Sequence, residues 1–190
     1  MSKRLRILLL SLGFILALSS RGEAILLQGR DHLTPQEVDL VKDAQVLDKR
    51  IEIFIKAADR RMLVINSSAE ANAKQLKKDS EKWGELPTGT RAELMSDVSR
   101  IFDEAITNID DVSSRDEKNP LIPKALRKLA AAASRIVEQL KPIAAQIKGD
   151  SELSTFDQLT ENAESIIQAA NKLPAATEKK AKGKTEKVSN

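Results

Sequence analysis

The chain has 190 residues with no cysteine, no tyrosine and one histidine, and its 31 lysines and arginines face 28 aspartates and glutamates. Without cysteine there is no disulfide framework, no haem-attachment motif and no thiolate zinc site. Aromatic residues make up 3% of the chain, which weighs against the stacking platforms that bind carbohydrate or single-stranded nucleic acid.

The N-terminus reads as an export signal. Lys3, Arg4 and Arg6 precede an apolar run from Ile7 to Leu18, and Gly22 and Ala24 then occupy the −3 and −1 positions of a cleavage site. A membrane-spanning helix needs about 20 apolar residues, and Arg21 and Glu23 end this run short of that. Residues 1–24 are therefore expected to be a signal peptide, with the protein exported to a periplasm or secreted and left without a transmembrane segment. Lys3, Arg4, Arg6 and Arg21 outweigh Glu23 in that stretch, so the remaining chain is electrically balanced. The sequence pI of about 9.1 thus comes from the two ends of the chain. A balanced chain supplies no clustered basic face, and no nucleic-acid partner is expected.

Leu33-Thr34-Pro35-Gln36-Glu37 opens the first helix: Thr34 caps, Pro35 takes the first helical position and Glu37 reaches back as a capping box. The stripe Leu40, Ala44, Leu47, Ile51, Phe54, Ala58, Met62 and Ile65 follows at coiled-coil-like spacings of three and four, predicting one helix to Ile65. Ile53, Ile55, Ala57, Leu63 and Val64 widen the stripe, leaving Glu52, Lys56, Asp59 and Arg60 as its polar side. Such a helix is buried on several sides or shared with a partner. From Ser67 to Trp83 the composition turns polar and predicts a weaker helical extension broken near the serines. Gly84, Pro87 and Gly89 form a loop, and Thr90-Arg91-Ala92-Glu93 is a second capping box.

The helix behind that box carries Leu94, Val98, Ile101, Ala105, Ile109 and Val112. After a polar loop from Ser113 to Asn119, Pro120 or Pro123 starts the next helix, whose heptad runs through Leu126, Leu129, Ala133, Ile136, Leu140, Ile143 and Ile147. Pro142 is expected to kink it, and Gly149 to close it as a C′ residue. Ser154-Thr155-Phe156-Asp157 then begins a last helix, stopped by Pro174. The expected fold class is all-α: an antiparallel bundle of about four helices over residues 25–173, followed by a disordered lysine-rich tail over 174–190.

Leu33-Thr34-Pro35-Gln36 is similar to the Leu-Thr-x-x-Gln motif of the Spy-type periplasmic chaperones, small cysteine-poor helical proteins. Glu37 stands where that motif has glutamine, and the segment is read equally well as a helix cap, so the family is not assigned. No catalytic, cofactor or metal site is expected. His32 reads as an exposed linker residue, and Asp110, Asp111, Asp116 and Glu117 lack EF-hand spacing. There is no Gly-x-Ser-x-Gly elbow and no phosphate-binding glycine loop. The expectation is a non-enzymatic exported protein that binds another macromolecule, either a second copy of itself or an envelope protein. Ile53, Ile55, Leu63, Val64 and Trp83 are the candidate partner surface, with Trp83 at the loop edge read first as an anchor of the loop onto the bundle and otherwise as a contact, and Lys179, Lys180, Lys182, Lys184 and Lys187 are a candidate tether to an anionic surface. The alternative is a carrier holding a small apolar ligand between helices, if the short side chains Ala130 to Ala133 leave room for one instead of bringing two backbones close, the reading preferred for them.

Overall fold

The computed structural model describes residues 30–174. The expected signal peptide and the tether lysines lie outside the described residues. The chain divides between Arg30 and Asp31, and the architecture below is that of the unit beginning at Asp31. Among the described residues the structure is all-helical: α1 (Pro35–Asp43), α2 (Leu47–Ile65), a short 3-10 turn (Glu70–Asn72), α3 (Ala73–Trp83), α4 (Arg91–Arg115), α5 (Leu121–Ala144) and α6 (Asp150–Asn171). None of these helices is long and apolar enough to cross a membrane.

The single helix expected from Pro35 to Ile65 is two. Ala44 and Val46 leave the helical conformation, and Arg50 Nε donates to the Ala44 carbonyl across the break. The cause is tertiary. In a continuous helix Glu37 and Arg60 would stand roughly 35 Å apart, yet here they are hydrogen-bonded. The chain turns at Ala44–Val46 so that α1 folds back along α2 as a helical hairpin.

Both capping boxes form as expected, Thr34 with Glu37 and Thr90 with Glu93. At the end of α2, Ser67 adopts a left-handed φ of 51°. Its N–H donates to the Val64 carbonyl and that of Ser68 to the Leu63 carbonyl, the paired bonds of a Schellman stop. The final helix starts earlier than the sequence suggests, at Asp150. Gly149, expected to close α5, is instead the N-cap of α6 with φ 90°. Glu152 draws the start forward, accepting from the Lys148 N–H at 2.8 Å and from Arg91 Nε at 2.5 Å. Pro142 lies in the last turn of α5, which ends at Ala144, so Ile147 falls beyond it.

The bundle consists of α2, α4, α5 and α6, with α2 and α6 at opposite corners. Cross-helix pairs give the directions. Arg50–Asn108 and Arg61–Asp97 run α2 antiparallel to α4. Lys124–Asp48, Arg135–Asp59 and Asn66–Gln139 run α2 parallel to α5, and Arg91–Glu152 with Asn162–Ser99 make α4 and α6 parallel. The antiparallel arrangement expected from short loops therefore holds between helices consecutive in the chain, while two of the lateral contacts are parallel. The reason is the order around the square: the chain passes from α4 to α5 across its diagonal.

The core follows the apolar stripes. Ile51, Phe54, Ala58, Val98, Ile101, Ala105, Leu129, Ile136, Leu159 and Ala163 are fully enclosed. Ala125, Ala132 and Ala133 are fully buried on α5, where the absence of longer side chains lets neighbouring backbones approach. An Ala133→Leu substitution should therefore overpack the core and cost about 1–3 kcal/mol in urea denaturation, while Ala131→Leu, on the exposed side of the same helix, should change stability little.

Candidate functional site

Two polar features distinguish this bundle: a charged cluster inside it and a groove on its flank. The cluster is built around Glu37, which is fully buried although it stands in the first turn of a surface helix. One carboxylate oxygen completes the capping box by accepting from the Thr34 N–H at 2.9 Å. The other accepts from Arg61 Nη1 at 2.7 Å and from Arg60 Nε at 3.3 Å. Arg60 and Arg61 are each 1% exposed, so consecutive residues of one helix both bury a guanidinium.

Each arginine then reaches a different part of the chain. Arg61 donates to the carbonyls of Ala57 and His32, at 2.9 and 2.6 Å, and its Nε lies 4.0 Å from the buried Asp97 carboxylate of α4. Arg60 donates through Nη2 to the carbonyls of Trp83, Gly84 and Glu85, satisfying the exposed carbonyl end of α3. Its guanidinium also lies 5.8 Å from the centroid of the Trp83 ring, a cation–π contact. Burial draws the Arg60 pKa below its ordinary value, against the opposing pull of Glu37. Gly84 is required here: its φ is +66°, and a Cβ would come within 3.0 Å of the Gln36 side chain.

Ion pairs fasten α2 to α5 at the other end of the bundle. Lys128 bridges Asp48 and Glu52 at 2.6 and 2.5 Å, and Lys124 adds a second contact to Asp48 at 2.9 Å. Hydrogen bonds from Lys128, then Lys124, hold the Asp48 carboxyl below its ordinary pKa, and bonds from Lys128 and Lys49 do the same for Glu52.

The groove lies between the second half of α2, α5 and the segment 66–83, and has a volume of about 360 Å³. Met62, Leu63 and Leu76 supply its apolar lining. Its polar lining includes Asn66, Asn72, Gln75 and Gln139, four side-chain amides. Asn66 Nδ2 donates to Gln139 Oε1 at 3.2 Å, joining α2 to α5. The charges in and beside it are paired: Arg135 with Asp59 at 3.1 Å and Lys56 with Asp79 at 2.9 Å. Burial raises the Asp59 pKa, with Arg135 pulling it back, while the Lys56 hydrogen bond lowers that of Asp79. The groove exists because α3 packs against α1 and the 3-10 turn and stands clear of α2 and α5.

The proposed partner surface divides between these features. Leu63 lines the groove. Ile53, Ile55 and Val64 are half-buried on α2, with Ile55 packed on the core. Trp83 is buried beneath Arg60 and anchors the end of α3, so it is not presented for contact. His32, expected to be an exposed linker residue, is half-buried and bonded to Glu104 at 2.7 Å. Asp110, Asp111, Asp116 and Glu117 are exposed, and no group of metal-ligating side chains occurs among the described residues. None of the surface concavities at the α2–α5 groove, on α6 or between α4 and α6 is lined by Ala130 to Ala133.

Glu37, Arg60, Arg61 and Asp97 are buried charged groups that the apolar stripes do not announce. Arg60 reads from sequence as part of the polar side of the helix. Arg61 follows Phe54 by seven residues and Ala58 by three, and Asp97 lies three after Leu94 and four before Ile101. Both therefore occupy core spacing, a signal hidden because charged residues are ordinarily assigned to the solvent face. Comparison of the chain with protein-family models, curated proteins and solved structures finds no match.

Glu37→Ala leaves two buried guanidinium groups without their shared carboxylate and should cost about 3–5 kcal/mol by urea denaturation. Asp48 provides a pH test. Its pKa is lowered in the folded state, so its stabilisation is complete above the ordinary carboxylate range and is lost as the pH falls through the folded-state value. The wild-type protein should therefore exceed Asp48→Asn in stability at neutral pH, and thermal melts taken below about pH 4 should show the difference shrinking.

Proposed function

We propose that this protein is an exported, non-enzymatic helical bundle that acts by binding another macromolecule at the groove between α2, α5 and the segment 66–83. One observation carries the reading. Met62, Leu63 and Asn66 at the end of the over-apolar half of α2, and Ser68, Asn72, Gln75 and Leu76 of the polar stretch after it, line one groove. The export part of the reading rests on the signal-like pattern of residues 1–24.

The exposed surface favours a distinct partner, such as an envelope protein, over a second copy of the chain. The large hydrophobic residues most exposed among the described residues are Val46 and Leu153. They begin α2 and α6, at opposite ends of the bundle, and form no continuous strip of the kind that closes a homodimer. The buried charges favour binding over catalysis, because Glu37 is committed to Thr34, Arg60 and Arg61.

Site-specific photo-crosslinking tests the groove. With p-benzoylphenylalanine in place of Gln75, the chain in its own cells should form a discrete adduct. With the same group in place of Glu164, on the exposed side of α6, it should form none. Equal labelling at both positions, or none at either, overturns the groove as the binding site. Light scattering of residues 25–190 across a dilution series should give a monomer; a concentration-dependent dimer would transfer the proposal to self-association.

A further inference from the structure

We infer that the groove takes a short, extended and uncharged stretch of polypeptide, recognised mainly through its backbone; this rests on the groove being the binding site proposed above. The first argument is the amide inventory. Asn66, Asn72 and Gln75 each donate one amide hydrogen bond inside the protein: to Gln139, to the Ser68 carbonyl and to Asp79. Their carbonyl oxygens, and the nitrogen of Gln139, have no protein partner among the described residues. Three carbonyl oxygens, one N–H on each of Asn66, Asn72 and Gln75, and the amide group of Gln139 therefore remain on the groove walls, and a side-chain amide is the chemical match of a peptide group.

The second argument is charge. Lys56 is committed to Asp79 and Arg135 to Asp59, so the groove offers no unpaired cation to a phosphate and no unpaired carboxylate to a basic segment. The third is shape and lining. A groove of about 360 Å³ has room for a few residues of chain and no more. Met62, Leu63 and Leu76 can receive small apolar side chains from one face of it. A helix would meet the same amides with its backbone groups already bonded internally, and a wholly apolar ligand would leave them desolvated and unmatched. An extended segment matches both parts of the lining, with N–H and C=O groups for the amides and alternate side chains for the floor.

The test uses residues 25–190 and a fluorescein-labelled pool of capped pentapeptides built from Ala, Val, Leu, Ser and Thr, read by fluorescence anisotropy. A second pool carries N-methyl groups on alternate residues, which removes backbone donors and leaves the side chains in place. The unmodified pool should bind saturably and the N-methylated pool at least about tenfold more weakly. Asn66→Ala and Gln139→Ala should each weaken binding by about tenfold without lowering the melting temperature, since Asn66 is exposed and Gln139 half-exposed. Equal binding of the two pools overturns backbone recognition. Absence of binding while the Gln75 cross-link persists overturns the peptide chemistry and leaves the groove as the site. Absence of both overturns the two readings together.

Discussion

The structure turns on one carboxylate shared by two adjacent arginines. Glu37 can reach Arg60 and Arg61 only if the first helical stretch breaks and doubles back, so this contact determines where α1 ends, where α2 begins and how the hairpin is registered. Through the arginines the same carboxylate is linked to the His32 carbonyl, to Asp97 on α4 and to the carbonyl end of α3. Four segments distant in sequence thus converge on a single buried charge.

A cluster of this kind is a poor source of net stability, because desolvating the ions offsets most of their attraction. Its consequence is geometric. A carboxylate that meets two guanidinium groups while capping its own helix is constrained in direction as well as distance, which an apolar residue at position 37 would not be. The Lys128 bridge to Asp48 and Glu52 joins α2 to α5 by ionic contact at the other end of the same helix. Between these two fastenings the core is ordinary aliphatic packing.

The groove follows from how α3 is attached. Trp83 and the carbonyls beside it are held by Arg60, and Asp79 is held by Lys56, but no helix-to-helix packing joins α3 to the bundle core. Elements with few buried contacts open at low cost, and α3 has one buried residue, Trp83.

The local features of the sequence were sufficient for the local structure. Apolar residues at spacings of three and four, two capping boxes and the prolines specify helices, because these signals act within a turn or two of the chain. Thr34 and Glu37 form the cap that their spacing requires, and Ile51, Phe54 and Ala58 face the core that their spacing defines. The break at Ala44–Val46, the early start of α6 and the parallel packing of α2 on α5 were settled only in the tertiary structure. The first two accompany a charged side chain meeting a partner 23 and 61 residues away, the third follows from the order of the helices around the bundle, and no local pattern records either. The groove belongs to the same class. Its amides come from α2, α3 with its approach, and α5, and they line one groove only because the fold sets α3 apart from the bundle.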